Sequence, residues 1–180
     1  MDFNGLDLPE PVLQGIREAG FVTMTPIQEA ALPLALKGKD VAGQSQTGTG
    51  KTAAFLIAAF TRLLREPTPP PGTPTTPRVL IIAPTRELVV QIESDAHQLG
   101  RFTPFNIQAV YGGIDYAKQR DTLAAGCDVL VGTPGRLIDY LKQHVWSPRK
   151  VEVLVIDEAD RMFDMGFIAD LRGDHTCCLR

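Results

Sequence analysis

Residues 40–56 read DVAGQSQTGTGKTAAFL, and the run SQTGTGKT from Ser45 to Thr52 decides how the rest of the chain must be arranged. A short apolar run before it predicts a strand, and the apolar helical stretch after it predicts a helix, the context that a phosphate-binding loop requires. Gly48 and Gly50 permit the tight turn and let successive N–H groups face an anion, while the helix N-terminus adds a favourable dipole. Lys51 is placed to neutralise the β and γ phosphates of a nucleotide, and Thr52 to offer its hydroxyl to Mg²⁺. Gln46, Thr47 and Thr49 complete the cradle. The strict pattern has Gly where this chain has Ser45, a small residue that still suits the turn.

A second run, VLVIDEAD over residues 153–160, is an apolar strand that ends in carboxylates as it leaves the sheet. Asp157 is positioned to hold Mg²⁺ through water, and Glu158 to orient and deprotonate an attacking water. Three acids within four residues repel one another unless a cation lies nearby, and a magnesium-bound nucleotide supplies it.

Working outward from these two runs, short apolar stretches alternate with longer ones of helical period, the signature of βα units and a parallel sheet. Strands are predicted over residues 40–43, 78–83, 107–111, 128–132 and 151–157, rich in Val, Ile and Leu as befits strands covered on both faces. Helices are predicted over 10–19, 27–36, 51–64, 86–99, 116–125 and 136–142, with Pro33 interrupting the second. The run EPTPPPGTPTTP over 66–77 reads as an extended surface loop without strand donors. The fold class is therefore α/β, a P-loop domain with a mostly parallel sheet and helices on both faces.

At 180 residues, 44% apolar and 22% charged, the chain is long enough for one domain with a sizeable core. A net charge of −3 excludes binding of polyanions through a general basic field, so any nucleic-acid contact must be local and geometric. The three cysteines, Cys127, Cys177 and Cys178, lack the spacing of a metal or redox site and read as free thiols. With no basic leader and no apolar run long enough to span a bilayer, a cytoplasmic protein is expected.

The tetrapeptide Asp157-Glu158-Ala159-Asp160 goes beyond a generic P-loop enzyme: from Phe3 to Arg172 the sequence resembles the DEAD-box ATP-dependent RNA helicases. Gly20-Phe21 and Thr25-Pro26-Ile27-Gln28 look like the adenine-reading Q motif of that family, which here occupies residues 1–28. The resemblance implies that Phe3 stacks on adenine and Gln28 reads its hydrogen-bonding edge. Three further segments look like its RNA-contacting motifs: Pro84-Thr85-Arg86, Gly112-Gly113 and Thr133-Pro134-Gly135-Arg136. Their hydroxyls, first-turn N–H groups and guanidinium groups would grip sugar and phosphate rather than base edges, giving weak sequence preference and strong salt sensitivity. Within the family, YGGIDYAKQR and DEADRMFDMGFIADLR look closest to the bacterial RhlB type that works with the RNA degradation machinery.

The resemblance implies a division of the chain into residues 1–172, an N-terminal RecA-like ATP-binding domain, and 173–180, a tail that departs from the pattern. It also implies that a Ser-Ala-Thr strand, expected between the P-loop strand and the DEAD strand, and a second helicase domain are lacking. Unpaired strand edges cost roughly 1 to 3 kcal/mol per buried unsatisfied group, so the chain alone is expected to be molten or aggregation-prone. The tail suggests a frameshift or early stop, with a genuine short variant as the other reading. Two functions stay open: the N-terminal part of an RNA-dependent ATPase and helicase, turning over poorly alone, or a non-catalytic module that holds nucleotide or RNA. The Q motif and the DEAD tetrapeptide disfavour a DNA helicase.

Overall fold

The computed structural model describes residues 2–46, 48–68 and 74–164. After a single 3-10 turn at Phe3–Gly5 come α1 (Glu10–Glu18), α2 (Pro26–Ala35) and α3 (Lys51–Arg65). The alternating part follows: β1 (Val79–Ile82), α4 (Arg86–Leu99), β2 (Ile107–Val110), α5 (Tyr116–Ala124), β3 (Val129–Gly132), α6 (Pro134–Lys142), β4 (Val153–Ile156) and α7 (Ala159–Asp164). The four strands form one sheet in the order β2-β3-β1-β4, and every pairing is parallel.

Parallel neighbours cannot be joined by a tight turn, so each strand is followed by a helix that crosses back over the sheet. Because side chains alternate along a strand, the sheet feeds two cores. Val79, Ile81, Val129, Val131 and Ile107 point into a core closed by Leu56, Ile57 and Phe60 of α3, Val89 and Ile92 of α4, Ile16 of α1 and Leu32 of α2. Leu80, Ile82, Leu130 and Val110 point the other way, against Leu123 of α5, Leu137 and Tyr140 of α6, Trp146 and Met162. Helices on both faces of a parallel sheet make a doubly wound α/β domain, as the apolar runs required.

At its base the sheet is tied by Arg78, only 1% exposed. Its Nε meets Glu152 Oε1 at 2.5 Å, and its two terminal nitrogens donate to the carbonyls of Leu63 and Glu66 at the end of α3. A guanidinium can enter the interior only when its donors are satisfied in this way. One residue thus fixes β1, β4 and the P-loop helix relative to one another.

Three expectations are corrected. Residues 40–43 form no strand; residues 39–46 are irregular, and Val41 is 41% exposed. An extended segment becomes a strand only when its N–H and C=O groups meet a partner, and none of the described strands lies beside it. Helix α2 is not interrupted at Pro33 but runs through it, with Leu36 N donating to Leu32 O beyond. The proline stands near the C-terminal end, where only one ladder bond is lost. The end of the proline-rich run is not surface loop either: Thr75 is 3% exposed, bridges to Trp146, and its hydroxyl donates to Leu123 O at 2.8 Å.

Candidate nucleotide and RNA site

All four strands point their C-terminal ends to one rim of the sheet, and the segment after each strand carries one of the predicted motifs. In spatial order these are Gly112-Gly113 after β2, Thr133–Arg136 after β3, Pro84–Arg86 after β1 and Asp157–Asp160 after β4. Ligands of open parallel sheets bind at such a rim, outside the carboxyl ends of the strands.

The P-loop enters this rim through backbone geometry that glycine alone tolerates well. Gly48 (φ 81°) and Gly50 (φ 90°) are both left-handed, and Gly50 is the residue before the first turn of α3. Lys51 opens the helix, and its Nζ donates to the carbonyls of Ser45 and Gln46, so the loop is closed over its own lysine. The Ser45 and Thr49 hydroxyls share a hydrogen bond of 2.6 Å across the loop. Ser45 thereby does what a glycine cannot, pinning the turn with a side chain. Thr52, half-buried, follows on the first turn, and Thr47 lies outside the described residues.

Gln28 links the N-terminal motif to this loop. It is 2% exposed; its Oε1 accepts from Thr25 N at 2.9 Å, and its Nε2 donates to Gly50 O at 3.1 Å. A Cβ placed on Gly50 would stand 2.6 Å from Gln28 Nε2, so the contact depends on glycine there. Phe3 is packed in the first core at 2% exposed, whereas Phe21 stands 40% exposed.

At the end of β4, Asp157 N donates to Ile82 O, which holds the strand end in the sheet. Burial raises the Asp157 carboxyl above its ordinary range, a hydrogen bond from Glu158 N lowers it, the Lys51 charge lowers it further, and Glu158 raises it. Glu158 has φ 49°, unusual for a residue with a side chain, and its carboxylate meets Arg161 at 2.8 Å. A carboxylate with burial against it suits a cation bridged by phosphates. Among the described residues no cluster of three or more His, Cys, Asp or Glu could hold a metal unaided. Magnesium in phosphate sites is held in this way, by one or two side chains and the phosphates themselves.

The three remaining segments are helix starts and a glycine turn. Thr85 caps α4, its hydroxyl accepting from Leu88 N at 3.3 Å, with Pro84 buried before it. Arg86 lies over the Tyr111 ring at 5.3 Å and against Gly113 (φ 84°), so the first and second segments touch. Thr133 N donates to Val110 O, Pro134 opens α6, and Gly135 is exposed. Arg136 is turned inward. It donates to Gln119 Oε1 at 3.0 Å and to the Tyr140 hydroxyl at 3.2 Å, and lies over the rings of Tyr116 and Tyr140. The Arg136–Gln119–Tyr140 cluster was missed in the sequence, where only the i, i+4 spacing of Arg136 and Tyr140 hinted at it.

The glycine loop, the helix after it and the acidic strand end define a P-loop domain of the RecA-like α/β class. The DEAD/DEAH box helicase family model matches residues 25–178, and the chain belongs to that family. It is 54% identical over 171 residues to the ATP-dependent RNA helicase RhlB of Xanthomonas oryzae pv. oryzae, covering 94% of this chain and 30% of that one. To RhlB of Shewanella denitrificans it is 51% identical over 170 residues, covering 94% and 39%. The chain therefore spans about a third of the length of these curated relatives. Among solved structures, the yeast DEAD-box splicing factor Prp28 superposes with a TM-score of 0.83 at 38% identity, over 91% of this chain and 39% of that one. Prp28 from Chaetomium thermophilum, bound to ADP, gives 0.85 at 37% identity, over 100% and 43%.

Proposed function

We propose that residues 1–172 are the N-terminal ATP-binding and RNA-contacting domain of an ATP-dependent RNA helicase of the RhlB type. The observation that carries this reading is the glycine loop, left-handed at Gly48 and Gly50, opening directly into α3 at Lys51 in a chain whose β4 ends in Asp157-Glu158. Lys51, released from the Ser45 and Gln46 carbonyls, binds the terminal phosphates; the N–H groups of residues 48–50 take the rest. Thr52 and Asp157 are the residues that would hold Mg²⁺, whose role when bound is to neutralise the phosphate oxygens. Glu158 orients a water and accepts its proton. Gln28, already fixed by Thr25 N, reads the adenine edge with its neighbours Phe21 and Thr25; Phe3, the family's stacking residue, is packed in the core at 2% exposed and would have to turn out of it to reach the ring. ADP bound to the Chaetomium relative supports an adenine nucleotide for this shared fold.

RNA backbone lies along the other three segments of the rim, gripped by Thr85, Arg86, Gly112, Gly113, Thr133, Pro134, Gly135 and Arg136. The free, half-buried thiol of Cys127 fits a reducing, cytoplasmic setting, and no helix among the described residues is long and apolar enough to cross a membrane. The RhlB likeness makes the RNA degradation machinery the protein assembly to test by pull-down.

The deciding experiment is titration of the purified chain with a fluorescent ATP analogue in Mg²⁺. Lys51→Ala removes a charge-assisted contact of about 1.5 to 3 kcal/mol, so affinity should fall about ten- to a hundredfold. Equal affinity of wild type and variant would overturn the proposal. Added RNA separates the two open functions: stimulated turnover above the Lys51→Ala rate marks the enzyme, and binding without turnover marks the holding module.

A further inference from the structure

Arg136 stands half-buried in the first turn of α6, and its guanidinium is held by one nitrogen. Nη1 donates to Gln119 Oε1 at 3.0 Å and to the Tyr140 hydroxyl at 3.2 Å. The Tyr140 hydroxyl in turn donates to Tyr116 O at 2.8 Å, and the rings of Tyr116 and Tyr140 lie 4.7 and 5.4 Å from the guanidinium carbon. The start of α5, which follows Gly112-Gly113, is thereby tied to the start of α6, which follows Thr133. A guanidinium can take a phosphate through a pair of parallel bonds along either of two edges, one made of Nη1 and Nη2 and the other of Nε and Nη2. Both contacts to Gln119 and Tyr140 use Nη1, so the second edge is the one they leave unengaged.

Gln119 is 7% exposed, and only half of its amide is used. The oxygen meets Arg136 and lies 3.4 Å from the Tyr140 hydroxyl, whereas Nε2 is buried with no hydrogen-bond partner among the described residues. An unpaired buried donor weakens a fold, and a methionine of similar length and volume would fill the place without one. A side chain kept at a cost to stability points to a role outside stability. The task its oxygen performs here is to hold Arg136.

We infer that Gln119 and Tyr140 are positioning residues for RNA binding: they hold Arg136 by Nη1 so that its Nε–Nη2 edge meets a phosphate of the strand lying along Thr133 and Gly135. The inference rests on the RNA reading proposed above. An unrestrained arginine has many rotamers, whose loss on binding weakens each contact it makes; two hydrogen bonds and two rings fix this one beforehand. Neither Gln119 nor Tyr140 has to touch RNA for this.

The test is titration of a fluorescent oligouridylate with the full 180-residue chain between about 50 and 200 mM salt, beside titration with the fluorescent ATP analogue. Arg136→Gln should weaken RNA binding about tenfold and lower the salt slope by about 0.7, the share of one phosphate contact on a single strand. Gln119→Met should weaken RNA binding about three- to tenfold, and added to Arg136→Gln it should change RNA affinity no further. Nucleotide affinity should hold throughout, and the stability of Gln119→Met to urea should hold or rise, because the unpaired donor is gone. Should Gln119→Met fail to fold, Tyr140→Phe removes one hydroxyl, keeps the ring and is expected to show the same selective loss. Wild-type RNA affinity in the folded variant, or an unmoved salt slope in Arg136→Gln, would overturn the inference. So would RNA and nucleotide affinity falling together with stability, the mark of a merely structural residue, or a double variant weaker than Arg136→Gln alone. A wild-type chain that binds no RNA fails the RNA reading itself, and the inference falls with it.

Discussion

Strands β3 and β4 flank the same strand in the same register and read almost alike, VLVG and VLVI, yet one is sealed and the other half open. Every residue of β3 is buried, with α4 beneath it and α6 above. In β4 exposure alternates, Val153 and Val155 turned to the first core and Leu154 and Ile156 left outside the second. Two of the three segments proposed to contact RNA grow from the sealed strands β1 and β3, and they carry fixed contacts: Thr85 capping α4, Arg86 over Tyr111, Arg136 between two tyrosines. The proposed nucleotide side grows from β4 and from a segment over residues 39–46 that none of the described strands pairs with, and it is held by a few polar contacts: Gln28 to Gly50, Ser45 to Thr49, Lys51 to two carbonyls. Packing therefore builds one end of the rim and hydrogen bonds build the other. Sites that must open for a ligand are drawn from the weakly packed end of a fold.

The sharpest way to break this contrast is one substitution made on each strand. Leu130 on β3 is fully buried, so Leu130→Ala leaves a cavity and should cost about 2 to 5 kcal/mol. Leu154 at the neighbouring register position on β4 is 41% exposed, and Leu154→Ala should cost about 1 kcal/mol or less. Urea unfolding at low micromolar protein reads both, and equal losses would mean that β4 is covered in solution as fully as β3.

The same contrast explains what could be read from residue order. Runs such as VLII and VLVG are apolar at every position, which only a strand buried on both faces tolerates, so β1 to β4 and the crossovers between them were legible. Helix 86–99 fell at its expected bounds because Thr85 caps it and Gly100 follows it. Residues 40–43 misled because strand propensity is local, whereas a strand is made by its neighbours. Thr75 misled because a proline-rich run signals exposure, yet one threonine can still bury its hydroxyl on a carbonyl. The P-loop and the acids after β4 were legible as chemistry, since few residue types serve phosphate and metal. The burial of Arg78 and the inward turn of Arg136 were not, because their partners lie far off in the sequence, on α3 and before β4 for Arg78 and on α5 for Arg136, and no single window contains them.

A middle-sized effect separates the two ends by their glycines. Gly50→Ala imposes φ 90° on a residue with a Cβ and drives that Cβ to 2.6 Å from Gln28 Nε2, so strain and a lost hydrogen bond add. About 2 kcal/mol of stability should go, with nucleotide affinity falling in step. Gly113→Ala meets a similar φ of 84° but only the far end of the Arg86 side chain, which can move, so about 1 kcal/mol is expected and nucleotide affinity should hold. Should the two variants lose the same stability and the same affinity, the Gln28–Gly50 contact has no special weight.

The smallest effect is a matter of sign, and it bears on whether the nucleotide end stores strain. Burial lifts the Asp157 carboxyl above its ordinary value of 3.8, with Glu158 adding to the rise, while the bond from Glu158 N and the Lys51 charge oppose it. The folded chain therefore holds that proton more tightly than the unfolded chain does. Its contribution to stability is fully present below the unfolded value and is lost as pH rises through the folded one. At neutral pH the ionised carboxylate weighs against the fold, so Asp157→Asn should be more stable than wild type at pH 7.5, with the gap closing as pH falls toward 3.8. Glu93 and Asp95 on α4 are raised by burial as well, but they are common to both proteins and cancel in the difference. Unfolding midpoints at pH 4 and 7.5 measure it. A variant less stable than wild type at pH 7.5 would show that Lys51 and the Glu158 amide already satisfy the carboxylate, leaving it little need of a cation; a more stable one would identify Asp157 as a charge kept at the fold's expense for what it binds.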